Sequence, residues 1–312
     1  IKWSYELLTN KEVGFGLDPN RLYITVFEGK GDVPKDTESV EFWKSVGVPE
    51  SRIYFLGESN FWSAGENGPC GPSTEMFYDL SEEGLGDMTH EEFVEADESQ
   101  KIVEIWNDVF MEYEKKEGEI VGKLPKQNVD TGSGLERLLS VLQEKDDIFE
   151  TDLFLPLMNQ VEKLTDNINS ARIVADHIKA AVFIVADGVA PSNTDQGYVL
   201  RRLIRRAVFH TNKKDLTTDE VSSLVEVVNE IYKVSYPELN KKKSSIEKEI
   251  LKEVEKFKQT LEKGLKQLDK IEGDISGEDA FILFSSYGFP VEMTEEIAKE
   301  KGVSVEIGRA HV

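Results

Sequence analysis

The sequence predicts an α+β protein in two parts, and three observations carry that prediction. Segments rich in β-branched and aromatic residues are confined to the first half of the chain. Strand signals nearly vanish after about Thr151, where helical spacing takes over. The third observation is a stripe at Ile246, Ile250, Val254, Phe257, Leu261, Leu265 and Leu268, recurring at steps of three and four. That spacing makes one long amphipathic helix, and packing alone explains it.

In order along the chain, "WSYELL" from Trp3 has the pattern of an amphipathic helix already in progress. "RLYITVFEG" (Arg21 to Gly29), "TEMFYDL" (Thr74 to Leu80) and "KIVEIWNDVFMEYE" (Lys101 to Glu114) read as strands of one sheet. "DTESVEFWKSVG" (Asp36 to Gly47) spaces Val40, Trp43 and Val46 three apart and ends on glycine, which predicts a short covering helix. Acids crowd between Asp79 and Glu98 with no Lys or Arg among them, and this stretch is expected to be a solvated surface insertion. Four further helical segments run from Asp152 to about Ser235, each bounded by Asn, Asp, Gly or Ser. The expected domains are 1–155 and 156–305. Residues 306–312, "EIGRAHV", break the preceding pattern and are expected to be a non-native tail.

Composition narrows the function classes. With 312 residues, 39% hydrophobic and 31% charged, the chain can bury a sizeable core. No apolar run approaches the roughly 20 residues that cross a bilayer, so no membrane partner is expected. The single cysteine, Cys70, excludes an internal disulfide and a multi-cysteine zinc site in this chain, and a cytoplasmic location is expected. A net charge of −23 makes the whole molecule a poor non-specific binder of nucleic acid, so a polyanionic partner needs a local basic patch.

Four stretches are richer than packing requires. "NFWSAGENGPCGPSTEMFYD" (Asn60 to Asp79) sets glycines and prolines before a strand, either as an ordinary hairpin loop or as a concave backbone surface. In "EIWNDVFMEY" (Glu104 to Tyr113), strict alternation puts Asn107 with Ile105, Val109 and Met111, and Glu104 on the opposite face. Asn107 is there a satisfied core amide or a ligand contact. "NVDTGSGLER" (Asn128 to Arg137) runs from strand end to helix start through Gly132 and Gly134. It is neither a Walker loop nor a Rossmann fingerprint. In "PSNTDQGYVLRRLIRRAVFH" (Pro191 to His210), Arg201, Arg202, Arg205 and Arg206 occupy a continuous arc of a helix, extended by Lys213 and Lys214. The arc suits phosphate contact, and ion pairing with the acidic regions is the alternative.

In this order, these blocks resemble the alanyl-tRNA synthetase family, together with "DLF" at Asp152, "RIVADHIKAAVFIVADGVAPSNTDQGYVLRRLIRRAV", "EKFKQTLEKGL" and "SSYGFPVEMT". The resemblance covers Trp3 to Val303. It implies the C-terminal part of a class II synthetase core, an antiparallel sheet with flanking helices, followed by an all-helical tRNA-recognition domain. The implied activity is ATP-dependent formation of alanyl-adenylate and transfer of alanine to the 3′ end of tRNA.

By that resemblance Arg137 lies against ATP as the catalytic arginine, with Gly132 and Gly134 making room for the nucleotide. Trp62, Asn107, Val109, Asp130 and Gly132 bind alanine. Asn193, Arg201, Arg202, Arg205, Arg206 and Ser285 contact the tRNA acceptor stem. ATP with Mg²⁺ is implied. Glu104 is a conceivable magnesium ligand, though alternation turns it away from Asn107. The family's zinc site belongs to an editing domain outside this chain. Ser285 departs from the family's usual aspartate before "YGFP", which weakens or rearranges reading of the G:U pair in the stem. The first two signature motifs of the class precede Ile1, so the 312-residue chain alone is expected to be inactive. Two alternatives remain: a non-catalytic tRNA-binding protein derived from the synthetase core, and a class II ligase for another small amino acid.

Overall fold

A computed structural model describes residues 1–211 and 216–306, and the chain divides into two compact units, Ile1–Thr151 and Asp152–Val312. Lys213, Lys214 and all of the expected tail beyond Glu306 lie outside the described residues.

The first unit runs α1 (Lys2–Thr9), β1 (Leu22–Phe27), α2 (Thr37–Ser45), β2 (Ile53–Leu56), β3 (Phe61–Ser63), β4 (Gly68–Asp79), α3 (His90–Glu98), β5 (Ile102–Lys116), β6 (Glu119–Gly132) and α4 (Leu135–Leu142). Its sheet has the order β2-β1-β4-β5-β6, with β3 paired to the end of β4 as a hairpin. The "GPCGP" stretch expected to be a turn is itself the start of β4. The sheet is mixed rather than antiparallel, because β1 and β2 run parallel while the other pairs are antiparallel. The reason is the crossover: α2 lies between them and returns the chain to the same sheet end, as a parallel pair requires.

β1 is buried along its length because both sheet faces are covered. On one face α1, α2 and α4 place Leu8, Trp43, Leu138 and Val141 against Ile24, Val26, Met76 and Ile105. Trp43 is fully buried, and its indole N–H donates to Thr74 Oγ1 at 2.9 Å, so its polar atom stays satisfied. The other face carries Tyr23, Tyr54, Phe77 and Ile102, covered by Phe93 and Ala96 of α3. The acid-rich stretch is solvated as expected at its acids apart from Asp79, but it also forms a helix that covers this face of the sheet. A capping box between Thr89 and Glu92 starts α3, which turns Phe93 inward while its acids face water. Asp79 is buried too, accepting from the backbone N–H groups of Ser81 (2.8 Å) and Leu85 (2.6 Å).

One irregularity of β5 matters for the site. Its register against β4 pairs Glu75 with Asn107, Met76 with Trp106 and Phe77 with Glu104, and leaves Ile105 as the unpaired residue of a bulge. Since Glu75 and Phe77 share a face, Glu104 and Asn107 share it as well. The expectation that they oppose each other is overturned by that extra residue.

The second unit's named elements are α5 (Leu155–Val161), α6 (Ile168–Ala186), α7 (Asp195–His210), α8 (Thr218–Tyr232), α9 (Pro237–Leu268), α10 (Gly277–Tyr287) and α11 (Val291–Lys301), with an isolated bridge between Ile275 and Val305. The stripe of α9 is buried at Ile246, Ile250, Val254, Phe257, Leu261 and Leu268. Among the described residues no helix is long and apolar enough to cross a membrane.

Candidate functional site

In the first unit the strands bring distant residues onto one sheet face. Asn107 stands opposite Gly132 and Val109 opposite Asp130 in the β5–β6 ladder, while Trp62 stands opposite Gly71 on β3. Trp62, Asn107, Val109, Asp130, Thr131 and Gly132 together line a cavity of about 180 Å³. Val109 is buried and Trp62 half exposed, so an apolar floor meets an aromatic wall at the mouth. Asp130 is exposed, and one of its oxygens accepts from Thr131 N–H at 2.9 Å. A side chain added at Gly132 would meet nothing within 4 Å, so the main chain there is open to a ligand. Asn107 donates from Nδ2 to Glu75 Oε1 at 3.5 Å, and its own Oδ1 is buried without a partner.

The strand-to-helix turn at Ser133 is tied to the bulge. Ser133 Oγ donates to the Ile105 carbonyl at 2.7 Å. Gly134 then caps α4, and a Cβ at that position would come within 2.5 Å of Arg137 Nε. Arg137, in the first turn of α4, pairs with Glu104 at 3.0 Å. The bulge thus delivers Glu104 to the arginine, on the same sheet face as Asn107.

Glu75 is the residue the sequence reading missed. It sits between Thr25, which donates to its Oε2 at 3.3 Å, and Asn107. Burial, and then the Glu104 charge, push its carboxyl up to about 7. Burial and Glu104 also raise the Asp97 carboxyl, while Arg137 acts in the opposite direction on both. The available signal was an acid placed between the strand neighbours Ser73 and Phe77, both of which are buried. Among the described residues no group of three or more His, Cys, Asp or Glu side chains could hold a metal by itself.

In the second unit Asn193, Arg201, Arg202, Arg205 and Ser285 line a groove of about 650 Å³, with Lys256 and Gln259 of α9 opposite them. Arg206 does not line it. The arginine arc is heavily paired. Arg201 and Arg205 reach the buried Glu253 at 3.2 and 2.6 Å, Arg202 reaches Glu292 at 2.6 Å, and Arg206 binds Glu296. His210 meets the second oxygen of Glu296 at 3.0 Å. Arg205 also donates to the Gly288 carbonyl at 2.7 Å, and Gly288 is left-handed (φ 70°) at the end of α10, where a Cβ would collide with that guanidinium. Asn193 accepts from Arg201, and Ser285 donates to Phe281 O at 2.7 Å, which leaves its oxygen free to accept.

The first unit is an α+β module with a small polar-and-aromatic cavity beside a glycine turn that leads into an arginine-bearing helix. The family model described as "tRNA synthetases class II (A)" matches residues 1–311, and the chain belongs to that family. It is 41% identical to the alanine–tRNA ligase of Borrelia hermsii (strain HS1 / DAH), over 98% of this chain and 54% of that protein. Against the alanine–tRNA ligase of Bacillus pumilus (strain SAFR-032) it is 42% identical, over 98% of this chain and 36% of the relative. Against that of Enterococcus faecalis (strain ATCC 700802 / V583) the identity is 41%, with the same two shares. The chain therefore spans between about a third and a half of the length of the relatives it matches.

Proposed function

We propose that this chain is the substrate-binding part of an alanine–tRNA ligase of the cytoplasm, holding alanine and ATP in its first unit and reading the tRNA acceptor stem with its second. The observation that carries this reading is the single cavity lined by Trp62, Asn107, Val109, Asp130 and Gly132. These residues come from three strands, β3, β5 and β6, and their chemistry suits a small amino acid. Asp130 supplies a counter-charge for the ammonium, Asn107 an acceptor, and Val109 and Trp62 an apolar wall for one methyl group.

Arg137 then stacks on the adenine and reaches the phosphates, which its planar guanidinium can do with one side chain. Gly132 and Gly134 leave room for the nucleotide beside the turn. The alanine carboxylate attacks the α-phosphorus of ATP, pyrophosphate leaves, and the adenylate carbonyl is next attacked by the terminal ribose hydroxyl of tRNA, releasing AMP. Neither step needs a protein nucleophile, so orientation and charge stabilisation carry the catalysis. Mg²⁺ bound with the nucleotide supplies neutralisation of phosphate charge, and needs only one or two carboxylates beyond the phosphates. Glu104, beside Arg137, fits that role. A wall for one methyl group discriminates by only ~1–3 kcal/mol per group, so glycine and serine are weak competitors rather than excluded ones.

In the second unit, Asn193 and Ser285 offer short polar side chains to base edges in the wide minor groove of an A-form stem. Arg201, Arg202 and Arg205 line the protein groove that also holds Asn193 and Ser285, and Arg206 follows Arg205 on α7. The test is ATP–pyrophosphate exchange by a full-length chain carrying this segment. Exchange should depend on alanine, and Asp130→Ala should raise the alanine KM at least about tenfold. Exchange that responds equally to other amino acids would overturn the reading.

A further inference from the structure

Asn107 has two amide ends, and they are treated differently. Nδ2 donates to Glu75 Oε1, whereas Oδ1 is buried, has no partner, and belongs to a residue that lines the cavity. A buried acceptor without a donor is costly, and a ligand donor relieves it. An Asn side chain can present either end, so something must decide which one is left for the ligand. Glu75 is the neighbour that can: in its ionised form it only accepts, and in that form it pairs with Nδ2 and not with Oδ1. Its other oxygen takes the Thr25 hydroxyl, so Glu75 is held from β1 and β5 at once.

We propose that Glu75 is a positioning residue for the amino-acid cavity, whose hydrogen bond to Asn107 Nδ2 reserves Asn107 Oδ1 as the acceptor for a substrate ammonium group. The proposal rests on the reading of that cavity as the alanine site. Keeping an acid at such a buried place works against stability, and a purely structural role would be served by a neutral side chain of the same size. An ammonium has three donors, so Asn107 Oδ1 and Asp130 share it without competing.

The experiment is a double-substitution cycle in a full-length enzyme carrying this segment, read by alanine-dependent ATP–pyrophosphate exchange. Glu75→Ala should raise the alanine KM about tenfold, with kcat and the ATP KM changing less than about threefold. Glu75→Gln, which can offer either a donor or an acceptor to Asn107, should fall between Glu75→Ala and the parent. In an Asn107→Ala background, Glu75→Ala should add nothing further, because Glu75 acts only through the amide. Glu75→Gln in that background carries the same comparison should Glu75→Ala fail to fold. Multiplying losses in the double variant, or losses spread equally over kcat and the ATP KM, would overturn the proposal while leaving the alanine site intact. A parent enzyme whose exchange ignores alanine would overturn the site reading and the proposal with it.

Discussion

The carboxyl of Glu75 links pH to folding. Burial raises it from 4.5 to about 7, so the folded chain binds this proton more tightly than the unfolded chain does. Stability from this group is complete below about 4.5 and is lost as pH rises through about 7. Glu75→Gln removes that dependence without removing the side chain. The variant should gain on the parent between pH 5 and pH 8 by up to about 3 kcal/mol, since one pKa unit corresponds to roughly 1.4 kcal/mol. Urea unfolding at the two pH values measures it, and a difference that does not change with pH would refute the assignment. Much less is expected from the Arg137–Glu104 pair, which is partly exposed on both sides and is therefore weak in stability terms. Its effect is to hold a guanidinium over the turn. Trp62, Val109, Asp130 and Gly132 are legible as alanine contacts only through motif resemblance, whereas the alternation of β5 by itself marks Asn107 as an amide in want of a polar partner. Glu75 belonged to the same block, but a strand acid is ordinarily read as solvent-facing, so it went unnoticed.

Among the elements, β6 runs along the edge of the sheet for 14 residues and pairs only with β5 among the described residues. Val129 is 65% exposed on it and faces away from the cavity, since it stands opposite Phe110 rather than Val109. A long edge with exposed β-branched residues is a template for pairing with another chain. Val129→Lys should lower self-association of the 312-residue chain in sedimentation, with its secondary structure unchanged. Equal association by parent and variant would mean that this edge is not the contact. The same strand explains part of what sequence pattern leaves hidden. β6 is almost wholly exposed, so it carries no apolar alternation to find, and only its "NVDT" end was noticed. β5 has the opposite problem. Its alternation is legible, yet the bulge at Ile105 reverses the face of everything before it, and the cause is register against β4 rather than composition. α3 was missed because its acids outnumber its two buried residues, Phe93 and Ala96. α9 was read easily, since a stripe sustained over a 32-residue helix needs no partner to be seen.

At the scale of the whole molecule, the governing quantity is a net charge of −23 against one dense arginine cluster. The arc on α7 was legible, but its carboxylate partners were not, because Glu253, Glu292 and Glu296 lie 48, 90 and 90 residues further along the chain. Pairing changes what the cluster can do. Each phosphate neutralised contributes roughly 0.7–0.9 to the slope of log affinity against log salt. If the arginines stay with their carboxylates, few counterions are released and an acceptor-stem hairpin should bind with a slope near 1 in magnitude, drawing on Lys256, which lines the groove without a carboxylate partner among the described residues. Glu292→Gln together with Glu296→Gln frees Arg202 and Arg206 while leaving the buried Glu253 pairs intact. That variant should bind more tightly at low salt, with a slope steeper by about 1.5. Fluorescence anisotropy of the hairpin across a salt series reads both quantities. An unchanged slope in the double variant would mean that these two arginines are not at phosphates. A steep slope in the parent would mean that the ion pairs already open when RNA binds, and that the cluster works by exchanging carboxylates for phosphates.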